Sequence, residues 1–286
     1  MKKVVILLMG LSFLLSTGVS KAQDNITEVY VREHIPNKKP APYPYIREAD
    51  VMWDKVVWRM IDLREKMNLP LYYPQVPVDT RLNLISLILK GIDNEGLTAY
   101  STDDPKNEFK VQLTKEIIDQ KMGAGVDTMK IMDPTTGEPV EKVIKKDRQV
   151  ENVKQILVKE KWFFDKQHST LQVRIIGLCP ILVANRLDEN GNPTEEIQKQ
   201  QTFWIYYPEV RKLFTSHEIF NRNNDAQRIS FDDFFYQRRF SSYIYAESNV
   251  YNNRIINDYT SGLETLYEAE RIKNEIVNFE HDLWEY

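Results

Sequence analysis

With a single cysteine, Cys179, the chain cannot form an internal disulfide, so its stability has to come from an ordinary hydrophobic core. Cys179 lies in an apolar run and reads as a small buried hydrophobe, not a reactive thiol. An excess of positive charge is absent as well. The formal net charge of −4 gives no bulk electrostatic reason to bind nucleic acid or an anionic lipid surface. Past residue 22 no segment is long and apolar enough to span a membrane. The histidines His34, His168, His217 and His281 include no i, i+4 pair and no HExxH, so zinc-ligand spacing is absent. No GxSxG, GxGxxG or phosphate-binding GxxxxGK pattern occurs, and neither a metal nor an organic cofactor is expected. Internal repeats and low-complexity tracts are missing too. What the chain does have is apolar and aromatic material, 42% and 11% of residues, which marks a folded globule and not a disordered chain.

The first 22 residues read as a secretory signal peptide. Lys2 and Lys3 form the positive start, Val4 to Leu15 carries no charge, and Ser20-Lys21-Ala22 places small residues at the −3 and −1 positions. Cleavage is predicted between Ala22 and Gln23. A twelve-residue apolar block spans roughly 18 Å as helix, short of a ~30 Å hydrocarbon core. Gln23 at the first mature position also excludes a lipid anchor, which needs cysteine there. Cleaving 22 of 286 residues leaves 264, and losing Lys2, Lys3 and Lys21 with no acid takes the formal charge from −4 to −7. Residues 23–46 follow as a tether. Pro36, Pro40, Pro42 and Pro44 favour an extended, polyproline-like strap. It is either a linker or a docking arm that buries Tyr43 and Tyr45 on a partner. Residues 47–286 are expected to form one globular domain.

Within that domain the stretch Lys159–Phe214 alternates apolar β-branched and aromatic runs with turn chemistry, including the hairpin signal Asn190-Gly191. It predicts the antiparallel centre of a sheet. Before it, Trp53, Val56, Met60, Leu63 and Met67 recur at helical spacing and predict a helix from Glu48 to Asn68, ended by Asn68-Leu-Pro70. A second helix is expected from Asp79 as N-cap to Gly91 as C-cap. A short strand near Leu97–Tyr100, a helix near Val111–Met122 and a hairpin pairing Thr128–Met132 with Val140–Lys145 come next. Arg148–Lys159 fits either a short helix or a strand, with helix favoured. Beyond the centre, helices are expected at Glu209–Phe220, after a Ser230 cap, and from Gly262 to Leu283. The stripe of the last helix is Leu263, Leu266, Ala269, Ile272, Ile276, Phe279 and Leu283. The fold class that follows is α+β, an antiparallel central sheet flanked by N-terminal and C-terminal helices.

Candidate chemistry is thin. Asp188, Asn190 and Asn192 fit the first positions of a calcium loop, but Pro193 replaces the required glycine and Lys199 the closing glutamate, so a plain hairpin turn is expected. Asp232 and Asp233 are adjacent on a helix and point about 100° apart, which suits the helix dipole better than acid–base work. The densest feature is Phe231–Tyr245, where Phe231, Phe234, Phe235, Tyr236, Phe240, Tyr243 and Tyr245 surround Arg238 and Arg239. Phe231, Phe234 and Phe235 fit a buried helical face; aromatics with arginine also fit an interface. The candidate interface residues are Tyr43, Tyr45, Phe235, Tyr236, Arg238 and Arg239.

The blocks WRMIDLREKMNLPLYYP (Trp58–Pro74), EKWFFD (Glu160–Asp165), RIIGLCPI (Arg174–Ile181), FDDFFYQRRFSS (Phe231–Ser242), ESNVYNNRIINDY (Glu247–Tyr259) and the terminal DLWEY resemble the GldN/PorN family. The resemblance runs through nearly the whole mature chain and is silent over Met122–Lys146 and Leu187–Gln200. It implies a periplasmic, non-catalytic component of the type IX secretion and gliding-motility machinery of Bacteroidetes. Such subunits build a ring under the outer membrane, bound to a GldK/PorK-type lipoprotein and contacted by a GldL/GldM-type motor complex. A ring needs two different contact patches on each copy. The competing readings are a cell-wall enzyme using residues such as Asp165, His168 and Arg174, and a monomeric soluble binding protein.

Overall fold

The computed structural model describes residues 35–78, 81–104, 108–132, 139–187, 193–221, 224 and 226–283. The expected signal peptide with Ala22 and Gln23, His34, the expected Asn190-Gly191 turn and the calcium-like Asp188, Asn190 and Asn192 lie outside these residues.

The stretch expected as the first helix is instead a strand, β1 (Val51–Asp62), entered through a 3-10 turn at Glu48–Asp50. Both periodicities fit the apolar residues, but the segment is rich in β-branched and aromatic side chains, which favour the pleat. Both faces of the strand are also covered. Val57 and Ile61 are buried on one side and Trp58 and Met60 on the other, so the alternation that would have identified a strand is hidden. The Asn68-Leu-Pro70 signal marks the start of a helix, α1 (Leu69–Tyr72), because proline is tolerated in a first helical turn. The expected Arg148–Lys159 helix is corrected for the same reason. Beyond a 3-10 turn it is the doubly covered strand β5 (Val153–Asp165).

The second helix, α2 (Leu84–Asn94), starts later than expected, on Asn83, whose Oδ1 accepts a bond from Ser86 N at 2.7 Å. It runs through Gly91. That glycine is not a C-cap: a Cβ there would lie 2.5 Å from Leu213 Cδ2, so its role is close helix packing. β2 (Ala99–Tyr100) and α3 (Lys115–Lys121) follow, then a ribbon of β3 (Gly125–Met132) and β4 (Pro139–Lys146) in antiparallel register. The expected hairpin pairing holds there and extends further along both strands.

β6 (Thr170–Leu187) is the longest strand. It pairs with β5 on one side, and on the other with β7 (Pro193–Gln201) and then β8 (Trp204–Tyr206). β7 and β8 are interrupted where Thr202 turns its N–H and hydroxyl onto Pro180 O, at 3.1 and 2.9 Å. After α4 (Tyr207–Ser216), β9 (Glu218–Ile219), β10 (Ile229–Ser230) and α5 (Phe231–Tyr236), the chain returns as β11 (Tyr243–Glu247) beside β1 and ends in α6 (Leu263–Asp282). Among the described residues the main sheet has the order β11-β1-β5-β6-β8-β2, with β7 also on β6, and its pairings are antiparallel. The fold is α+β.

Alternation along β1 sets the layers. On one face Ile61, Ile156, Val158, Leu178 and Ile205 carry the main core under α2, α4 and α5. Farther along that face Val57 packs on Ala269, Ile272 and Ile276 of α6. The other face holds a second core of Trp58, Met60, Leu157, Cys179, Ile181 and Trp204. Phe109 closes over it, seated on Gly177, where a Cβ would lie 2.4 Å from the ring.

At the end of β1, Asn68 is fully buried and joins the chain on both sides. Its amide donates to Asp62 O and Ser241 O at 2.8 and 2.9 Å and accepts from Ser241 N at 2.9 Å. Burial pushes the neighbouring Asp62 carboxyl up, but bonds from the Arg64 side chain and N–H and from Gln155 outweigh it and hold its pKa at about 2. A depressed carboxylate stabilises the fold above its unfolded value and loses that contribution as pH falls through the folded value. We therefore expect the melting-temperature gap between the parent and Asp62→Asn to be full above about pH 4 and to narrow toward about pH 2. A gap that stays constant over this window would show that the pairing contributes nothing.

Candidate interaction surface

Strap and aromatic segment meet on one side of the domain. Ile35 is buried, Lys38 pairs with Asp233, and Arg174 Nη2 donates to Pro44 O at 2.6 Å. Tyr43 is half-buried. The Arg211 guanidinium stacks 4.3 Å from its ring centroid, Arg174 lies 5.0 Å away, and the Tyr236 ring is at 5.9 Å. Burial raises the Tyr43 hydroxyl's pKa, against the opposing field of Arg211. Tyr45, two residues on, is 86% exposed. Residues 35–46 of the strap thus lie along the domain and leave one tyrosine facing outward.

α5 forms because Ser230 closes a capping box. Its Oγ accepts from Asp233 N at 3.2 Å, and Asp233 Oδ2 accepts from Ser230 N at 3.3 Å. Asp232 does more than complement the helix dipole. It is buried and accepts a fork from Arg211 Nε and Nη2, both at 2.9 Å, together with the Tyr207 hydroxyl at 3.0 Å. Burial pushes the Tyr207 hydroxyl well above the usual phenol range, and the Asp232 charge adds to that. Burial opposes the Arg211 charge, yet the bonds and field of Asp232 leave its pKa raised. Sequence reasoning missed this triad. Tyr207 and Arg211 stand at i, i+4 on α4, a spacing that puts both on one helix face, but nothing local names their acceptor.

The six candidate interface residues separate by burial. Phe235 is 1% exposed, its ring stacked 5.8 Å from that of Phe214 at 17°, and belongs to the core. Arg238 has φ of 52°, in the left-handed region, and turns inward to fork onto Glu160 at 2.9 and 3.1 Å. The Glu160 side chain is fully buried and also accepts from Trp162 Nε1 at 3.1 Å. Tyr236, 51% exposed, and the exposed Arg239 face outward with Tyr45, and Tyr43 lies between the two groups.

α6 presents a further outward surface that its expected stripe concealed. Ala269, Ile272 and Ile276 are buried and Phe279 stacks on Trp53 at 4.7 Å, but Leu263 and Leu266 are 62% and 51% exposed. The correction has a simple cause: α6 is a long helix docked on the sheet from Ala269 to Phe279, so a stripe that includes its first turns overstates the contact. Its exposed Tyr267 adds to the apolar surface at that end.

The residues of the enzyme reading do not converge. Asp165 Oδ2 meets His168 Nδ1 at 2.5 Å and Asp165 Oδ1 accepts from Gln167 N at 2.9 Å, which closes the β5–β6 turn. The His168 bond holds the Asp165 carboxyl below its ordinary pKa. Arg174 is engaged elsewhere, on the strap. Among the described residues no group of three or more His, Cys, Asp or Glu side chains could hold a metal ion, and no helix is long and apolar enough to cross a membrane.

No curated protein matches the chain. Residues 46–285 match the family model described as gliding motility associated protein GldN.

Proposed function

Since the chain belongs to the GldN family and is thus a component associated with gliding motility and type IX secretion, we propose that it is a non-catalytic structural and adaptor subunit of that machinery's periplasmic ring. The observation that carries this reading is the extent of the family match, which takes in the main sheet and all the helices among the described residues. In this role the mature protein, from Gln23 onward, is a periplasmic subunit held at the outer membrane through a GldK/PorK-type lipoprotein. It contacts neighbouring copies and a GldL/GldM-type motor complex. Two separate outward patches support such an arrangement: Tyr45, Tyr236 and Arg239 beside the strap, and Leu263, Leu266 and Tyr267 on α6. A ring built of heterologous contacts requires two unlike surfaces on every subunit.

Fractionation of cells making residues 23–286 in the periplasm, with and without the lipoprotein, tests the attachment. Gln23 cannot receive a lipid, and a formal charge of −7 after removal of three lysines from a total of −4 is repelled by an anionic surface. The protein is expected in the outer-membrane fraction only when the lipoprotein is present. Flotation with outer membrane in its absence would overturn indirect attachment, and solubility under both conditions would remove the lipoprotein as the anchor.

A further inference from the structure

A cavity of about 690 Å³ opens between the strap and the sheet, bordered by Tyr43 and Ile46 on one side and by Phe163, Arg174 and Tyr206 on the other. That is a small-molecule dimension, within the ~300–1,000 Å³ of typical sites. Across the strands, Asp54 stands opposite Phe163 and Lys161 opposite Arg174, all on one sheet face.

The charges around the cavity are not equivalent. Arg47 is held by Asp50 at 2.8 and 3.1 Å, and Lys161 by Asp54 at 2.7 Å. Arg174 has no carboxylate partner among the described residues. Its guanidinium sits 5.0 Å from the Tyr43 centroid and 5.4 Å from that of Phe163. Of the donors such a group carries, it uses Nη2 on Pro44 O, while Nε is enclosed without a partner. A half-buried cation without a counter-charge is costly, and ring faces offset only part of that cost. Its planar fork fits a carboxylate through two parallel bonds. Counted with the Asp50 that holds Arg47, the cations Arg47, Lys161 and Arg174 are balanced by Glu48, Asp50 and Asp54, so the surroundings are formally neutral and suit a single negative charge placed at Arg174 better than a dianion. Val51, Ile46, Phe163 and Pro208 supply apolar wall for the rest of the ligand.

We propose that this cavity is a receptor for a carboxylate carried on an apolar or aromatic body, with Arg174 as the anion-binding residue and Tyr43 and Phe163 fixing its plane. The carboxylate belongs either to a free aromatic acid or to a polypeptide, and the two are told apart by probe. Titration of the full mature chain, followed by NMR, compares phenylacetate, its neutral isostere phenylacetamide, a short peptide ending in phenylalanine, and inorganic phosphate. Phenylacetate is expected to saturate with Kd of about 1 mM or below, and phenylacetamide to bind at least ~10-fold more weakly. A peptide that binds more tightly than phenylacetate assigns the polypeptide source, and the reverse assigns the free acid. Arg174→Gln should weaken phenylacetate at least ~10-fold, with Arg174→Lys in between because it keeps charge without the fork. Equal binding of acid and amide, phosphate binding as tightly as phenylacetate, full affinity in Arg174→Gln, or no saturation by about 10 mM would each overturn the assignment. The acid–amide comparison uses the unmutated chain, so it decides the matter even if Arg174→Gln fails to fold.

Discussion

Asp232→Ala is expected to destabilise the domain by ~3–5 kcal/mol, a large share of the ~5–15 kcal/mol that holds a typical domain together. Removing the carboxylate strands two groups at once. Arg211 and Asp232 have side chains only 7% and 5% exposed, and the Tyr207 hydroxyl shares the same acceptor. The cost is chiefly that of leaving a guanidinium buried and unpaired, since the pair itself gains little over well-packed apolar residues. A combined variant, Tyr207→Phe with Arg211→Met and Asp232→Leu, separates these two terms. It removes donors and acceptor together and should lie within about 1–2 kcal/mol of the parent. Urea unfolding midpoints, with m checked for constancy, measure both. Should Asp232→Ala lose less than ~1 kcal/mol, as an exposed pair would, water must reach the vacated site and the triad is not sealed in solution.

The same triad shows where the sequence was legible and where it was not. The Ser230 cap and the short helix behind it could be read locally, because they depend on residues within a few positions, and the β3–β4 pairing because its strands adjoin in sequence. So could the buried aromatic face of Phe231, Phe234 and Phe235. β1 and β5 could not. Their apolar residues serve two faces, and a doubly covered strand has no period of two to betray it. Gly91 looked like a helix end because its local chemistry is identical whether it terminates a helix or admits a neighbour; only Leu213, far along the chain, distinguishes them. Arg238 is the sharpest case. Beside Arg239 in sequence it has the same composition-level claim to an interface, yet a left-handed backbone turns it onto Glu160, 78 residues away, while Arg239 stays outside. Long-range charge pairing leaves no mark on a single sequence.

That division of the aromatic segment makes the proposed assembly role separable from stability. Phe235→Ala empties a fully packed site against Phe214, Tyr207 and Phe240 and should cost ~3–5 kcal/mol of folding, by lost burial plus the cavity left behind. Tyr236→Ala and Arg239→Ala touch surface and should move stability by only about ±0.5 kcal/mol. At a contact centre, however, each truncation should cost ~2 kcal/mol or more, which is a loss of roughly 30-fold in partner affinity. Arg238→Ala belongs with Phe235, since it leaves the Glu160 carboxylate buried without its cation. The measurement pairs thermal melts of the purified variants with their co-elution from envelope extracts carrying the other components. Tyr236 and Arg239 variants that melt like the parent but fail to co-elute would place the contact at this patch. If co-elution instead falls only in the variants that melt early, Phe235 and Arg238 among them, the segment acts through the core alone. The subunit's contacts then have to be sought on α6, where Leu263, Leu266 and Tyr267 face outward.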